Sequence, residues 1–448
     1  MSIVPLVETA RERMEAVGIP GCAIGLLNHG EETVQSLGVT SVEHPLEVDG
    51  DTLFQTGSIT KTFTGTLAMR LVEEGRLELD APVRTYVPEL RLQDEDVAAR
   101  VTMRHLLTHT GGWVGDYFDD TGRGEDALAL ICERLAELPQ ETPLGDLWAY
   151  NNAGFYLAGR VVEVVTGRPF EEALHELVLA PLGLERSFFF ADDVIAHRFA
   201  VGHDREGKVA RPWALARSTA PAGGLVSSVR ELLRYARFQF GDGDGVLRRE
   251  TLEAMREPAV PAAGFADWVG LTWYGRDHEG LRFVGHSGGT NGQISLLQLC
   301  PEEGWALAVL TNHDDGGDLT RAVFLEAMRE RFGIDVRDAE RVEATREQLE
   351  EVCGSYDAAL GTYDLRLVDG KLVVQSRPKG GFPKRESPPR PAPPPFELAF
   401  TSRDELVVLD GPARGGTAQL LRDEGGGIVW FRAGGRLHRR LHETRVAE

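Results

Sequence analysis

At 448 residues, with 42% hydrophobic and 26% charged side chains, the chain is long enough for two or three domains and a large core without disulfide or metal staples. A net charge of −22 opposes phosphate backbones and anionic membranes, which excludes nucleic acid and membrane as expected partners. No stretch reaches the roughly 18 consecutive apolar residues of a membrane span. Glu8, Arg11, Arg13 and Glu15 interrupt the N-terminal segment where a secretory signal would be apolar, so the expected compartment is the cytoplasm. Cys22, Cys132, Cys300 and Cys353 are scattered without a C-x-x-C pair, which predicts neither a disulfide framework nor a zinc knuckle.

In chain order, Ile3, Leu6, Ala10 and Met14 recur with helical spacing over 2–16. CAIGLLNHG (22–30) and TVQSLGVTS (33–41) read as a strand hairpin turning at Asn28-His29-Gly30. A helix is predicted from Ser58 to about Glu74, stopped by Gly75, and residues 65–200 are mostly helical. ELLRYARFQFG (231–241) is a further helix. Strand signals return at 281–286, 294–300 and 305–312, with Glu302-Glu303-Gly304 as a turn, and a helix follows at 319–333. A sheet interrupted by a helical insertion places the two layers side by side, with a groove between them. Residues 336–350 read as a charged, helical connector. From Cys353, short strands at 362–368, 371–376, 405–410, 427–433 and 436–442 suggest a small antiparallel barrel or sandwich, with Asp369-Gly370 and Gly434-Gly435 as hairpin turns. KRESPPRPAPPP (384–395) reads as an exposed, semi-rigid surface loop rather than an SH3-type ligand.

Three segments carry chemistry. In TGSITKTF (56–63), Ser58 and Lys61 stand at i and i+3, on one face near a helix start. The positive end of the helix disfavours a protonated Lys61 and favours an anion at Ser58, and a serine beside a neutral amine is an activated nucleophile. The serine's own N–H, free in the first turn, can face an oxyanion. A helix cap followed by a solvated lysine is the competing explanation. In WAYNNAGFYLAG (148–159), Tyr150 is a candidate general base or proton relay, and Asn152 a ligand for a substrate carbonyl; the competing explanation is a turn tyrosine with an asparagine N-cap. In VGHSGGTNG (284–292), two glycines allow close approach to a strand end, and His286 adds a polar or cationic group.

Gly285-His286-Ser287-Gly288-Gly289 also matches the G-x-S-x-G nucleophile elbow, with Asp314, Asp315, His438 and His442 as candidate partners. That motif needs a following helix, whereas TNGQISLLQLC reads as another strand. His105 and His109 lie i, i+4, a zinc-binding spacing, but Leu106 stands where H-E-x-x-H has glutamate; helix packing and a loop anchor explain them better.

Taken in order, FQTGSITKTFT, HLLTHTGG, YNNAGFYLAGRVVEVVTGRPF, PLGLERS, PAGGLVSSVRELLRY and GHSGG resemble the serine β-lactamase and penicillin-binding-protein superfamily in its class C-like branch, over about residues 5–333. The resemblance implies an α/β (α+β) fold, with an antiparallel sheet flanked by helices and an all-helical subdomain. The domain expectations are a hydrolase over 1–335, a connector over 336–350 and a lipocalin-like barrel over 351–448. It implies Ser58 as acylated nucleophile, Lys61 and Tyr150 as its proton-handling partners, and Asn152, His286, Ser287, Gly288 and Gly289 as substrate-binding positions. Ser58 and Gly289 would supply the oxyanion N–H groups.

His286-Ser287-Gly288 departs from the K-T-G of β-lactamases, which points to small esters, amides or D-amino-acid peptides. A genuine β-lactamase and a non-catalytic scaffold are the rival readings. No metal or organic cofactor is expected, and a homo-oligomer is left open. Loops 113–125 and 202–220 are expected to carry specificity.

Overall fold

The computed structural model describes residues 2–337, 339–411 and 413–441. They form two compact units. The first contains the chain up to Gly115, Asp119–Val260 and Trp268–Val336; the second contains Asp116–Phe118, Pro261–Asp267 and the chain from Arg337 onward.

The first unit is built on an antiparallel sheet. Its strands run in the order Glu31–Gly38, Gly21–Asn28, Trp305–Thr311, Ile294–Cys300, Leu281–Gly289 and Tyr274–His278, then the short Trp268–Val269 and Val260–Pro261. Trp305–Thr311 is buried at every position, as an apolar run with both faces covered should be. On one face Ile24, Leu26, Leu307 and Val309 join Leu6, Ala10, Leu319 and Val323 from the helices Val4–Val17 and Gly316–Phe332. On the other face lies the helix Val229–Phe240. It approaches so closely that a Cβ on Gly25 would sit 2.7 Å from the Val229 side chain. The first hairpin pairs Asn28 with Glu31, leaving His29 and Gly30 as central residues, both at positive φ as a type I′ turn requires.

Between the first two strands and the rest of the sheet the chain is largely helical. It includes Thr60–Glu73, ended by Gly75 at φ 69°, and Asn152–Thr166. All four cysteines are free thiols. No helix among the described residues is long and apolar enough to cross a membrane.

The second unit is a closed eight-stranded antiparallel barrel, from Gly354–Ala358 through to Arg436–Arg440. It closes by pairing Tyr356 with Arg440, and its interior is filled by side chains including Tyr356, Leu365, Val374, Leu406 and Phe431. Asp369-Gly370 and Gly434-Gly435 are positive-φ hairpin turns here too. The predicted connector helix is corrected to a short one: only Arg346–Val352 is helical, opened by a Thr345–Gln348 capping box, and 339–345 have no regular structure. Residues 388–395 of the proline-rich segment form no element, because proline supplies no N–H to a sheet. His442 lies outside the described residues.

Candidate active site

Ser58 sits in the 3-10 turn Gly57–Ile59, which runs directly into the helix Thr60–Glu73. The predicted i, i+3 placement survives this tighter entry, because i and i+3 eclipse in a 3-10 turn. Lys61 Nζ lies 3.1 Å from Ser58 Oγ. The lysine is fully buried. It donates to Asn152 Oδ1 at 2.7 Å and to the Ala222 carbonyl at 2.6 Å.

Alternate threonines hold the segment bearing that carbonyl. Thr64 Oγ1 donates to Pro221 O at 2.7 Å, and Thr60 Oγ1 accepts from Leu225 N at 3.1 Å. The Ala222 carbonyl escaped sequence reasoning, since a backbone acceptor leaves no side-chain signal.

Tyr150 and Asn152 reach the lysine from the start of the helix Asn152–Thr166. Lys61 Nζ is 4.9 Å from the Tyr150 ring centroid. Of the asparagine pair, Asn151 is the N-cap: its Oδ1 accepts from Gly154 N at 2.7 Å. That leaves the Asn152 side chain to Lys61. An asparagine N-cap is thus present at Asn151, beside the asparagine that meets Lys61.

The third segment is the end of the strand Leu281–Gly289. Gly57 takes φ 52°, and a Cβ there would lie 2.7 Å from Gly289 N. A Cβ on Gly288 would lie 2.0 Å from Thr56 O and 2.9 Å from Ser58 N. Glycine at 57 and 288 therefore lets the strand end press against the serine turn. Ser287 and Gly289 face out, while His286 and Gly288 face in, as strand alternation dictates.

His286 is 2% exposed. Its Nδ1–H is directed at the Ser287 carbonyl at 2.6 Å, which leaves Nε2 as the acceptor nitrogen, without a hydrogen-bond partner among the described residues. Burial is the largest cause that pushes its pKa down to about 3. The cationic alternative for this residue is therefore corrected: His286 is a neutral acceptor.

The nucleophile-elbow reading fails on context. Ser287 pairs with Leu296 on the next strand, so strand follows strand with no intervening helix. His438 belongs to the barrel, where Nδ1 faces the Phe431 carbonyl. For the i, i+4 histidine pair the loop-anchor explanation holds, and only the place of His109 on the helix is corrected. The helix ends at Leu107, and His109 lies beyond it in a left-handed conformation at φ 57°. His105 caps its own helix through Thr102. His109 anchors the Tyr150 loop, with Nδ1 accepting from Asn151 N at 2.9 Å.

A family model described as Beta-lactamase matches residues 6–327. The chain belongs to the beta-lactamase family. Within this family of serine hydrolases, the chain is 33% identical over 341 residues to Penicillin-binding protein 4 of Amycolatopsis lactamdurans, covering 72% of this chain and 88% of that protein. It is 34% identical over 209 residues to the esterase EstB of Burkholderia gladioli, covering 43% of this chain and 52% of EstB. The crystal structure of SurE with D-Leu superposes with a TM-score of 0.73 at 25% identity, covering 97% of this chain and 98% of that one. That likeness runs through nearly the whole of both chains, so it takes in the barrel as well as the sheet-bearing unit.

Proposed function

We infer that this protein hydrolyses small esters or amides, peptides included, through an acyl-enzyme on Ser58. The observation that carries this reading is the surroundings of Lys61 Nζ. Asn152 Oδ1 and the Ala222 carbonyl are acceptors only, so they take two N–H bonds. A neutral amine that gives two N–H groups to these acceptors keeps a lone pair for Ser58 Oγ, which lies 3.1 Å away.

In the proposed reaction Ser58 Oγ attacks the substrate carbonyl and its proton passes to Lys61 Nζ. The oxyanion is met by the N–H groups of Ser58 and Gly289. Tyr150 relays a proton to the leaving group, which departs as alcohol or amine. Water then repeats the sequence, restoring Ser58 and releasing the acid. Asn152, Ser287 and Gly288 frame the acyl group.

The neutral His286 supports esters and peptides over β-lactams, because it offers no cation to a substrate carboxylate. D-configured acyl groups are the first peptides to test, since a relative of matching architecture was crystallised with D-Leu. A genuine β-lactamase is the second reading, favoured by the Beta-lactamase family model that the chain matches. A cytoplasmic location belongs to the same proposal.

A panel of p-nitrophenyl esters, D- and L-aminoacyl anilides and nitrocefin, run beside Ser58→Ala, separates these readings. Ester or D-aminoacyl turnover that dominates and vanishes in the variant is the expected result. Dominant nitrocefin turnover would establish the β-lactamase reading instead, and no Ser58-dependent turnover of any class would leave a binding protein.

A pH prediction follows from His286. Its pKa is depressed in the folded protein, so the unfolded chain binds the extra proton, and stability is lost as pH falls from about 6.5 toward 3. This residue alone removes about 2 kcal/mol of stability between pH 7 and pH 5. Urea titrations at the two pH values should show that loss, reduced in His286→Gln. Between pH 5 and 9 the pH profile of kcat/KM should carry no ionisation that His286→Gln removes.

A further inference from the structure

Tyr150 is held by a residue that no sequence motif pointed to as a partner. The carbonyl of His109 accepts from Ala149 N at 3.1 Å, and its Nδ1 accepts from Asn151 N at 2.9 Å. The two backbone groups flanking Tyr150 are thus fastened to one histidine. The same imidazole stacks on the Tyr150 ring, with centroids 4.7 Å apart and planes at 27°. Because Asn151 N–H must be the donor, the neutral ring carries its proton on Nε2, which faces Tyr274 Oη at 3.4 Å.

His109 is 1% exposed and lies at φ 57°, where glycine or asparagine would fit with less strain. A bulky side chain kept in that conformation, with its imidazole packed against Trp148, Tyr150, Phe155 and Tyr274, marks a local cost retained for placement.

We propose that His109 is a positioning residue for Tyr150, fixing the phenol's height and tilt over Lys61 without touching substrate. The proposal rests on the reading of Tyr150 as the proton relay of the Ser58 site. Its test is a double-mutant cycle on the best ester substrate, with His109→Asn, Tyr150→Phe and the pair. Asparagine tolerates the left-handed backbone and keeps an acceptor for Asn151 N–H, but has no ring to stack.

His109→Asn should lower kcat about 10- to 50-fold with KM within about threefold, and should cost no more than about twofold in the Tyr150→Phe background. An equal loss in both backgrounds, or a wild-type kcat in His109→Asn, overturns the proposal. A wild-type kcat in Tyr150→Phe is a different failure: it removes the proton-relay reading itself. If near-UV circular dichroism shows that His109→Asn has lost native packing, Tyr274→Phe enters the same cycle, deleting only the hydroxyl that faces Nε2. A kcat loss of about threefold that disappears in Tyr150→Phe is then expected, and an unchanged kcat overturns the proposal.

Discussion

Lys61→Met lowers kcat/KM on the preferred substrate by about three orders of magnitude or more, the size expected when a general base next to the nucleophile is removed. The fold should survive. Methionine fills much of the lysine's volume, and the substitution removes a buried amino group while leaving Asn152 Oδ1 and the Ala222 carbonyl without that donor. The expected loss of stability is about 1–3 kcal/mol, read as a modest fall in urea midpoint. Lys61→Arg should be no more active than Lys61→Met, because a guanidinium stays protonated and cannot take the Ser58 proton. Activity within tenfold of wild type in either variant would contradict the assignment.

The second large effect is steric. Gly288→Ala would put a methyl group 2.0 Å from Thr56 O, 2.5 Å from Ser295 Oγ and 2.9 Å from Ser58 N. Two of the three are backbone atoms and cannot step aside, so the strand end must retreat from the serine turn. The proposed oxyanion donors, Ser58 N–H and Gly289 N–H, then separate. A fall in kcat of about 100-fold or more is expected, with a loss of about 1–3 kcal/mol in stability. The neighbouring Gly289→Ala is the control. Its methyl group meets only Ile294 Cδ1, at 3.3 Å, and should change kcat by no more than about fivefold. Parallel stopped-flow and denaturation measurements on the two variants check the contrast.

Much of this was legible in the chain. Two-residue hairpins announced themselves through His29-Gly30, Asp369-Gly370 and Gly434-Gly435, because their backbone demands positive φ at both central residues. The Ser58–Lys61 pairing was readable because spacing i, i+3 selects one face in either helical form. The i, i+4 spacing of His105 and His109 suggests one helix, because periodicity does not reveal that the backbone turns left-handed after Leu107. The roles of Asn151 and Asn152 could not be divided from composition, since either could cap; the helix start decides it. The charge state of His286 depends on packing between segments over a hundred residues apart, which local sequence does not encode. In the connector, charge and helix propensity suggested more helix than forms, and the capping box at Thr345–Gln348 marks where it begins.

The central claim concerns Ser58, and covalent labelling tests it most directly. Wild-type protein treated with a fluorophosphonate, digested and analysed by mass spectrometry should carry one phosphonyl group, on the peptide containing Ser58 and on that serine. Ser58→Ala should carry none. Unchanged labelling of Ser58→Ala, or a label found on Ser287 in the wild type, would contradict the account.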